Sequence, residues 1–289
     1  MWDVIWHIFS HALIDSIWLL PFLFLTYLAM ELIEHKAGDK VQAVISRTGR
    51  TGPLWGGLAG LIPQCGFSAA SAGLFAGGVI TPGTLLAVFL ATSDEMISIF
   101  LGSSVPPIKI ITVLGIKLVV AVIVGLAVDL IFGKKGRKLE ISDHCEDENC
   151  HCGERGVWIS SLIHTVQIFA FVFAINLVLT AAFELIGEQN ISAILVKIPV
   201  LNVVIAALVG LIPNCAASVL IATLWTKGVI SGGAMIAGLL TGAGAGLLVL
   251  YRTNKQLKQN LFLTLLLLSV GILVGVLLDL CGLATLLGL

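Results

Sequence analysis

Two short runs bring together the residue types that chemistry inside an apolar chain would need. They are Gly60-Leu-Ile-Pro63-Gln64-Cys65-Gly66-Phe67-Ser68 and Gly210-Leu-Ile-Pro213-Asn214-Cys215-Ala-Ala-Ser218. Amides and hydroxyls can replace the water around a small neutral or anionic solute, and thiols suit a soft, thiophilic centre. Gln64, Cys65 and Ser68, with Asn214, Cys215 and Ser218, are therefore candidate substrate ligands. The plainer alternative is that small Cys and Ser side chains let helices pack closely. Just beyond the first run lies Thr92-Ser93-Asp94-Glu95, whose counterpart 150 residues on is Gly242-Ala-Gly-Ala245. Thr92 and Ser93 join the candidate ligands. Asp94 or Glu95 paired with Lys117 would neutralise a buried charge and could work as a proton-coupling switch. A fixed structural ion pair is the alternative. His11 and Asp15 are four apart and share a helix face. With His164 they are candidates for a proton relay or a metal site, or are solvated residues at a membrane boundary.

A second cluster is confined to one loop, Asp143-His144-Cys145-Glu-Asp-Glu-Asn-Cys150-His151-Cys152. In a reducing compartment its cysteines are thiols. His144, Cys145, Cys150, His151 and Cys152 are candidate ligands for Zn²⁺ or a softer ion. The spacing is not that of a closed structural zinc site, and a flexible acidic linker is the alternative. No cofactor is expected to be required apart from a metal ion in this loop.

The elements that must position these residues are membrane spans. Of 289 residues, 58% are hydrophobic and 11% charged, and the net charge is −1. Mean hydropathy is +1.06. Such a composition excludes an ordinary soluble domain, with about twice that charged share, and offers no basic face to nucleic acid. Plain spans are expected over 11–34, 107–133, 157–186 and 258–282. Spans over 82–102 and 229–250 carry Gly and polar interruptions. Apolar segments 54–77 and 201–227 are broken at their Pro-Gln-Cys and Pro-Asn-Cys runs. An internal repeat at an offset of 150 also maps Gly78-Val-Ile-Thr81 onto Gly228-Val-Ile-Ser231 and Val124-Gly125-x3-Asp129 onto Val274-Gly275-x3-Asp279. Asp129 and Asp279 read as caps or pairs near helix ends. The N-terminus has no basic region or cleavage site of a removable signal and reads as a short interfacial helix.

Cation placement sets the topology. Lys36, Lys40, Arg47 and Arg50, then Lys134, Lys135, Arg137, Lys138 and Arg155, then Arg252, Lys255 and Lys258 supply 12 of the 16 cations from three loops. All three loops are cytoplasmic under the positive-inside rule only if 54–77 and 201–227 enter and leave on one side. The alternative, a Pro-kinked crossing, would put some of these loops on the wrong face. The expected fold is thus an all-α integral membrane protein of two inverted-topology repeats. Each repeat has three transmembrane helices and one re-entrant helical hairpin. The repeats cover residues 1–133 and 157–289, with a cytoplasmic His/Cys-rich linker at 134–156. Both termini are expected to be non-cytoplasmic. The two tips should meet near the bilayer centre, where irregular backbone is tolerated only against protein or water. This is the arrangement of a secondary transporter with its site at the repeat interface.

The stretch from Gly60 to Glu95 resembles the signature of the organoarsenical permeases, which have a Pro-x-Cys-Ser-Cys-Gly tip, a Gly-rich hairpin and a Phe-Leu-x-x-Thr-Pro-Glu segment. Pro63, Cys65, Gly66, Thr92 and Glu95 match that pattern. Phe67-Ser68 stands where the permeases have a second Cys. The whole chain is more similar to the related ten-segment heavy-metal exporters, which also carry the labels manganese transporter and arsenic efflux protein. The resemblance implies export of a heavy metal, metalloid or arsenical by alternating access. Alternatives are a manganese exporter, a transporter of a small organic anion and, outside transport, a membrane metal sensor. An intramembrane enzyme is disfavoured, because no known hydrolase spacing is present. Expected partners are the lipid bilayer and a small inorganic or organometallic substrate. A second copy of the chain is a further candidate, and nucleic acid is not expected.

Overall fold

The computed structural model describes residues 51–62, 65–93, 96–131, 157–186 and 199–282, with scattered helical positions between 10 and 28. Most of the first expected span therefore lies outside the described residues. Eleven helices are described. In the first half they are α1 (Gly52–Gly60), α2 (Cys65–Ala76), α3 (Pro82–Ala91), α4 (Met96–Gly102) and α5 (Pro107–Ile131). Next comes α6 (Val157–Ile186). The second half has α7 (Pro199–Gly210), α8 (Cys215–Thr226), α9 (Gly232–Thr241), α10 (Ala245–Thr253) and α11 (Leu257–Leu280).

The sequence repeat is thus a repeat of helix boundaries. Both expected breaks are present, after Gly60 and after Gly210. Both interrupted spans are interrupted, between α3 and α4 and between α9 and α10. The α9–α10 break needs its glycine: Gly244 sits at φ 53°, ψ −143°, a backbone conformation closed to L side chains. Among the described residues, four stretches are long and apolar enough to cross a membrane: Pro82–Gly102, Pro107–Ile131, Gly232–Thr253 and Leu257–Leu280. At 1.5 Å per residue, α5 is about 37 Å long, more than a hydrocarbon core needs.

Burial sorts these helices into a centre and a rim. Every residue of α9 is buried, as are Gly83 to Ala91 of α3. In α5 only the stripe Ile110, Val113, Lys117, Ala121, Gly125 and Val128 is buried. Its other face exposes Ile108, Ile111, Val119, Ile123 and Leu130. The same division holds in α11, which buries Leu263, Leu267, Gly271, Gly275 and Leu278 and exposes Leu257, Leu261, Leu265, Leu273 and Leu280. Leucine and isoleucine on the outer face of a 25-residue helix suit lipid and not water.

Close approaches at glycine give the helix directions. A Cβ on Gly52 would strike the Thr84 hydroxyl, and one on Gly60 would strike the Val88 carbonyl and the Ala91 side chain. Rising residue numbers in α1 therefore meet rising numbers in α3, so the two helices run in the same direction. The chain must return through α2 to begin α3 at the level where α1 began. The second half repeats this: Gly210 closes on Gly238 and Thr241, Ala206 on Gly238, and Val203 lies by Gly275 beside the start of α9. Helix α5 runs opposite to α3, with Gly125 against Gly83 and Ala87, and Lys117 reaching Thr92 at 2.5 Å.

The halves interlock reciprocally. Helix α2 packs on α10 and α8 on α4; α3 meets α11 and α5 meets α9; α3 and α9 touch each other. Among the described helices, each of these cross-half contacts has its mate in the other half.

Candidate central site

The site is built where the interrupted spans cross. Helix α3 ends at Thr92, which is 3% exposed; its hydroxyl donates to the Val88 carbonyl at 2.8 Å. Ser93, 1% exposed, donates to the Ala91 carbonyl at 2.9 Å. Both hydroxyls thus satisfy the fraying end of a half-helix. Helix α9 ends at Thr241, fully buried, whose hydroxyl reaches across to the Ala207 carbonyl of α7 at 2.7 Å. That bond ties the last turn of α9 to the last turn of α7, just before the break.

Lys117 lies between the two ends. It is fully buried, ten residues into α5, hence about 15 Å from the start of that span. Its Nζ donates to the Thr92 carbonyl and to the Leu239 carbonyl, each at 2.5 Å. One acceptor belongs to the first half and the other to the second. Asp94 and Glu95, the partners expected for this lysine, lie outside the described residues. The repeat mate of Lys117 is Leu267, also fully buried, so the charge is one-sided.

The helix ends that precede the two breaks sit at the same level. Gly60 lies against Val88 and Ala91, one turn from Thr92, and Gly210 lies against Thr241. At the second tip Asn214 is the N-cap of α8: its Oδ1 accepts from the Ala216 N–H at 2.9 Å. An Asn here is the expected residue type for a helix start after a break. Cys215 opens the first turn, half-buried and in no disulfide. Ser218 is buried and donates to the Cys215 carbonyl at 2.8 Å. At the first tip Cys65 opens α2, and Ser68, fully buried, faces α10: a Cβ on Gly246 would meet Ser68 and Phe89. Pro63 and Gln64 lie outside the described residues, as does the Cys65 side chain.

The direct facing of the two tips expected from the sequence involves Gln64 and the Cys65 side chain, which lie outside the described residues. Each tip helix lies on the continued span of the opposite half, α2 on α10 and α8 on α4, and the crossing of α3 with α9 occupies the middle. Ser68 faces α10, Asn214 and Ser218 lie in the first turn of α8, and Lys117 joins the ends of α3 and α9 at the crossing. Of the remaining candidates, His164 is on α6 with its side chain outside the described residues, and His11 and Asp15 lie outside them as well. So do His144, Cys145, Cys150, His151 and Cys152. Among the described residues no group of three or more His, Cys, Asp or Glu side chains could hold a metal.

Away from this level, two carboxylates fix the outer ends of the central helices. Asp129 accepts from the Gly83 N–H at 2.8 Å and from the Thr81 hydroxyl at 2.6 Å, while Thr81 Oγ1 accepts from the Thr84 N–H at 3.1 Å. Asp279 does the same with Gly233 at 2.9 Å and Ser231 at 2.5 Å. The expected capping role of both acids is observed, with the cap supplied to a neighbouring helix. Its signal was available: Thr81 to Asp129 and Ser231 to Asp279 are both 48 apart. At the far end of α8, Trp225 packs on Phe100 of α4 with ring centroids 5.0 Å apart and planes tilted by 54°, and the Lys109 ammonium lies 5.7 Å over the same indole. Trp225 and Lys109 line an open cleft of about 610 Å³.

A protein family described as "Putative, 10TM heavy-metal exporter" matches residues 5–185 and again residues 154–287. The chain belongs to this heavy-metal exporter family. It is therefore a multi-pass membrane protein of a transporter family and not of an enzyme class. No curated protein and no solved structure matches it.

Proposed function

We propose that the protein is a secondary-active exporter of a heavy metal, metalloid or arsenical, working by alternating access. The observation that carries this reading is the same-direction packing of α1 with α3 and of α7 with α9. If α3 starts on the side where α1 starts, segment 52–81 leaves by the face it entered, and so does 202–231. In this reading both are re-entrant hairpins, entering from opposite faces, and the two halves are inverted repeats. The three cation-rich loops are then all cytoplasmic and both termini non-cytoplasmic.

The substrate is held at the level of the tips, between the halves. Cys65 and Cys215 offer sulfur to a thiophilic centre. Gln64, Asn214, Ser68, Ser218, Thr92 and Ser93 offer amide and hydroxyl groups, and the starts of α2 and α8 add N–H groups and the positive ends of helix dipoles. Asp94 and Glu95, which follow Thr92 and Ser93 in the chain, supply the coupling charge with Lys117, and His11, Asp15 and His164 a path towards the membrane boundary. The 144–152 loop captures metal on the cytoplasmic side. Alternating access is a rocking of one half against the other about the crossing.

The test is transport by the purified protein in proteoliposomes, screened against arsenite, organoarsenicals and divalent cations. Wild type is compared with Cys65→Ser, Cys215→Ser and Glu95→Gln. Loss of a first-rank ligand should lower uptake at limiting substrate by roughly 10- to 100-fold. Wild-type rates in all three variants would contradict the assignment of the site. Deletion of 144–152 should weaken capture at low substrate and leave the maximal rate unchanged.

A further inference from the structure

Lys117 carries a charge at a depth where a charge is costly and usually functional. Its ammonium reaches the Thr92 carbonyl, at the end of α3, and the Leu239 carbonyl, in the last turn of α9, each at 2.5 Å. The last four carbonyls of a helix have no partner within it and form the negative end of its dipole. Two such ends pointed at one place, in a medium of low dielectric, need a hydrogen-bond donor between them and favour a cation. In transporters with discontinuous helices, carbonyls at half-helix ends are ligands for a coupling ion such as Na⁺.

We infer that Lys117 is a tethered cation filling a main-chain cation site at the crossing of the two interrupted spans. The ammonium replaces a dissociable metal ion there. It is a positioning residue: it holds the C-terminal ends of α3 and α9 together and thereby fixes one half against the other. Only one such tether is present in the pair of repeats, since Leu267 occupies the equivalent place. The inference rests on reading the crossing as the moving core of a transporter. It adds that the Thr92 and Leu239 carbonyls are not ligands for an exchangeable Na⁺.

Removing the tether should open the site to a free cation. Full-length wild type, Lys117→Ala and Lys117→Met are purified in detergent. Their thermal unfolding is followed with saturating methylammonium chloride, against choline chloride as the control for ionic strength. Methylammonium should raise the midpoint of Lys117→Ala by on the order of 5 °C, and that of wild type and Lys117→Met by less than about 1 °C. No shift in Lys117→Ala, or equal shifts in all three, would overturn the inference. If Lys117→Ala does not fold, Lys117→Gln is compared with Lys117→Met. A clamp on carbonyls makes Gln, which keeps an N–H donor, the more stable. A merely space-filling role makes Met at least as stable, and that result would overturn the inference. These measurements use no substrate. A failed clamp test leaves the transport reading standing, and absence of flux from wild-type proteoliposomes would sink that reading while the clamp test still stands.

Discussion

At the scale of single residues, backbone groups are satisfied by side chains from another helix. Asp129 and Asp279 each close the start of a neighbouring helix through one N–H and one hydroxyl. Asp129→Ala and Asp279→Ala should each lower stability by about 1–2 kcal/mol, with nearly equal losses, because the two caps are alike. Thermal unfolding in detergent measures this, and a loss confined to one half would contradict it. Glycine gives a second contrast. A Cβ on Gly83 would lie 2.1 Å from the Gly125 carbonyl, whereas one on Gly115 meets nothing within 4 Å. Gly83→Ala should cost about 1–3 kcal/mol and Gly115→Ala should be neutral or slightly stabilising, as the two midpoints would report. The caps were legible in the sequence because both halves carry Asp at the same place. Two acceptors of Lys117 were not: they are main-chain carbonyls, and a carbonyl leaves no mark in the residue alphabet, while Asp94 and Glu95, the partners the sequence offered, lie outside the described residues.

At the scale of elements, the breaks were the clearest message in the chain. Pro63 and Pro213, each followed by an amide and a thiol, end one helix and begin another within five residues, and both breaks fall where the prolines put them. The interruption at 242–244 was legible from its glycines. What the sequence could not supply was the packing partner of each half-helix. Apolar, small-residue faces such as those of α2 and α8 fit several neighbours equally well, and pairing across the halves follows from the assembled shape. A cross-link tests that pairing. Phe100→Cys with Trp225→Cys, on a background without the native cysteines and with a protease site in the 134–156 linker, should hold the two halves together on an oxidising gel. After proteolysis, separate halves would contradict the α4–α8 seam. At the α9–α10 break, Gly244→Ala forces a side chain onto a positive φ and should slow transport at least tenfold while leaving helix content unchanged by circular dichroism.

At the scale of the whole molecule, the contact pattern is that of two like halves around a common centre, with α3 and α9 inside and the apolar faces of α5 and α11 outside. Membrane class and the extent of the repeat were readable from composition and from the polar residues that recur at an offset of 150. The sidedness of the broken segments was an inference from lysines and arginines. The parallel course of α1 with α3 now supports it on separate grounds. The most direct measurement is accessibility of single cysteines, introduced into a protein lacking its six native ones, to a membrane-impermeant thiol reagent added from one side. Positions 51, 80 and 255 should react from one side, and positions 104 and 229 from the other. Positions 51 and 80 reacting from opposite sides would show that segment 54–77 crosses the bilayer, and the account of two opposed hairpins would fail.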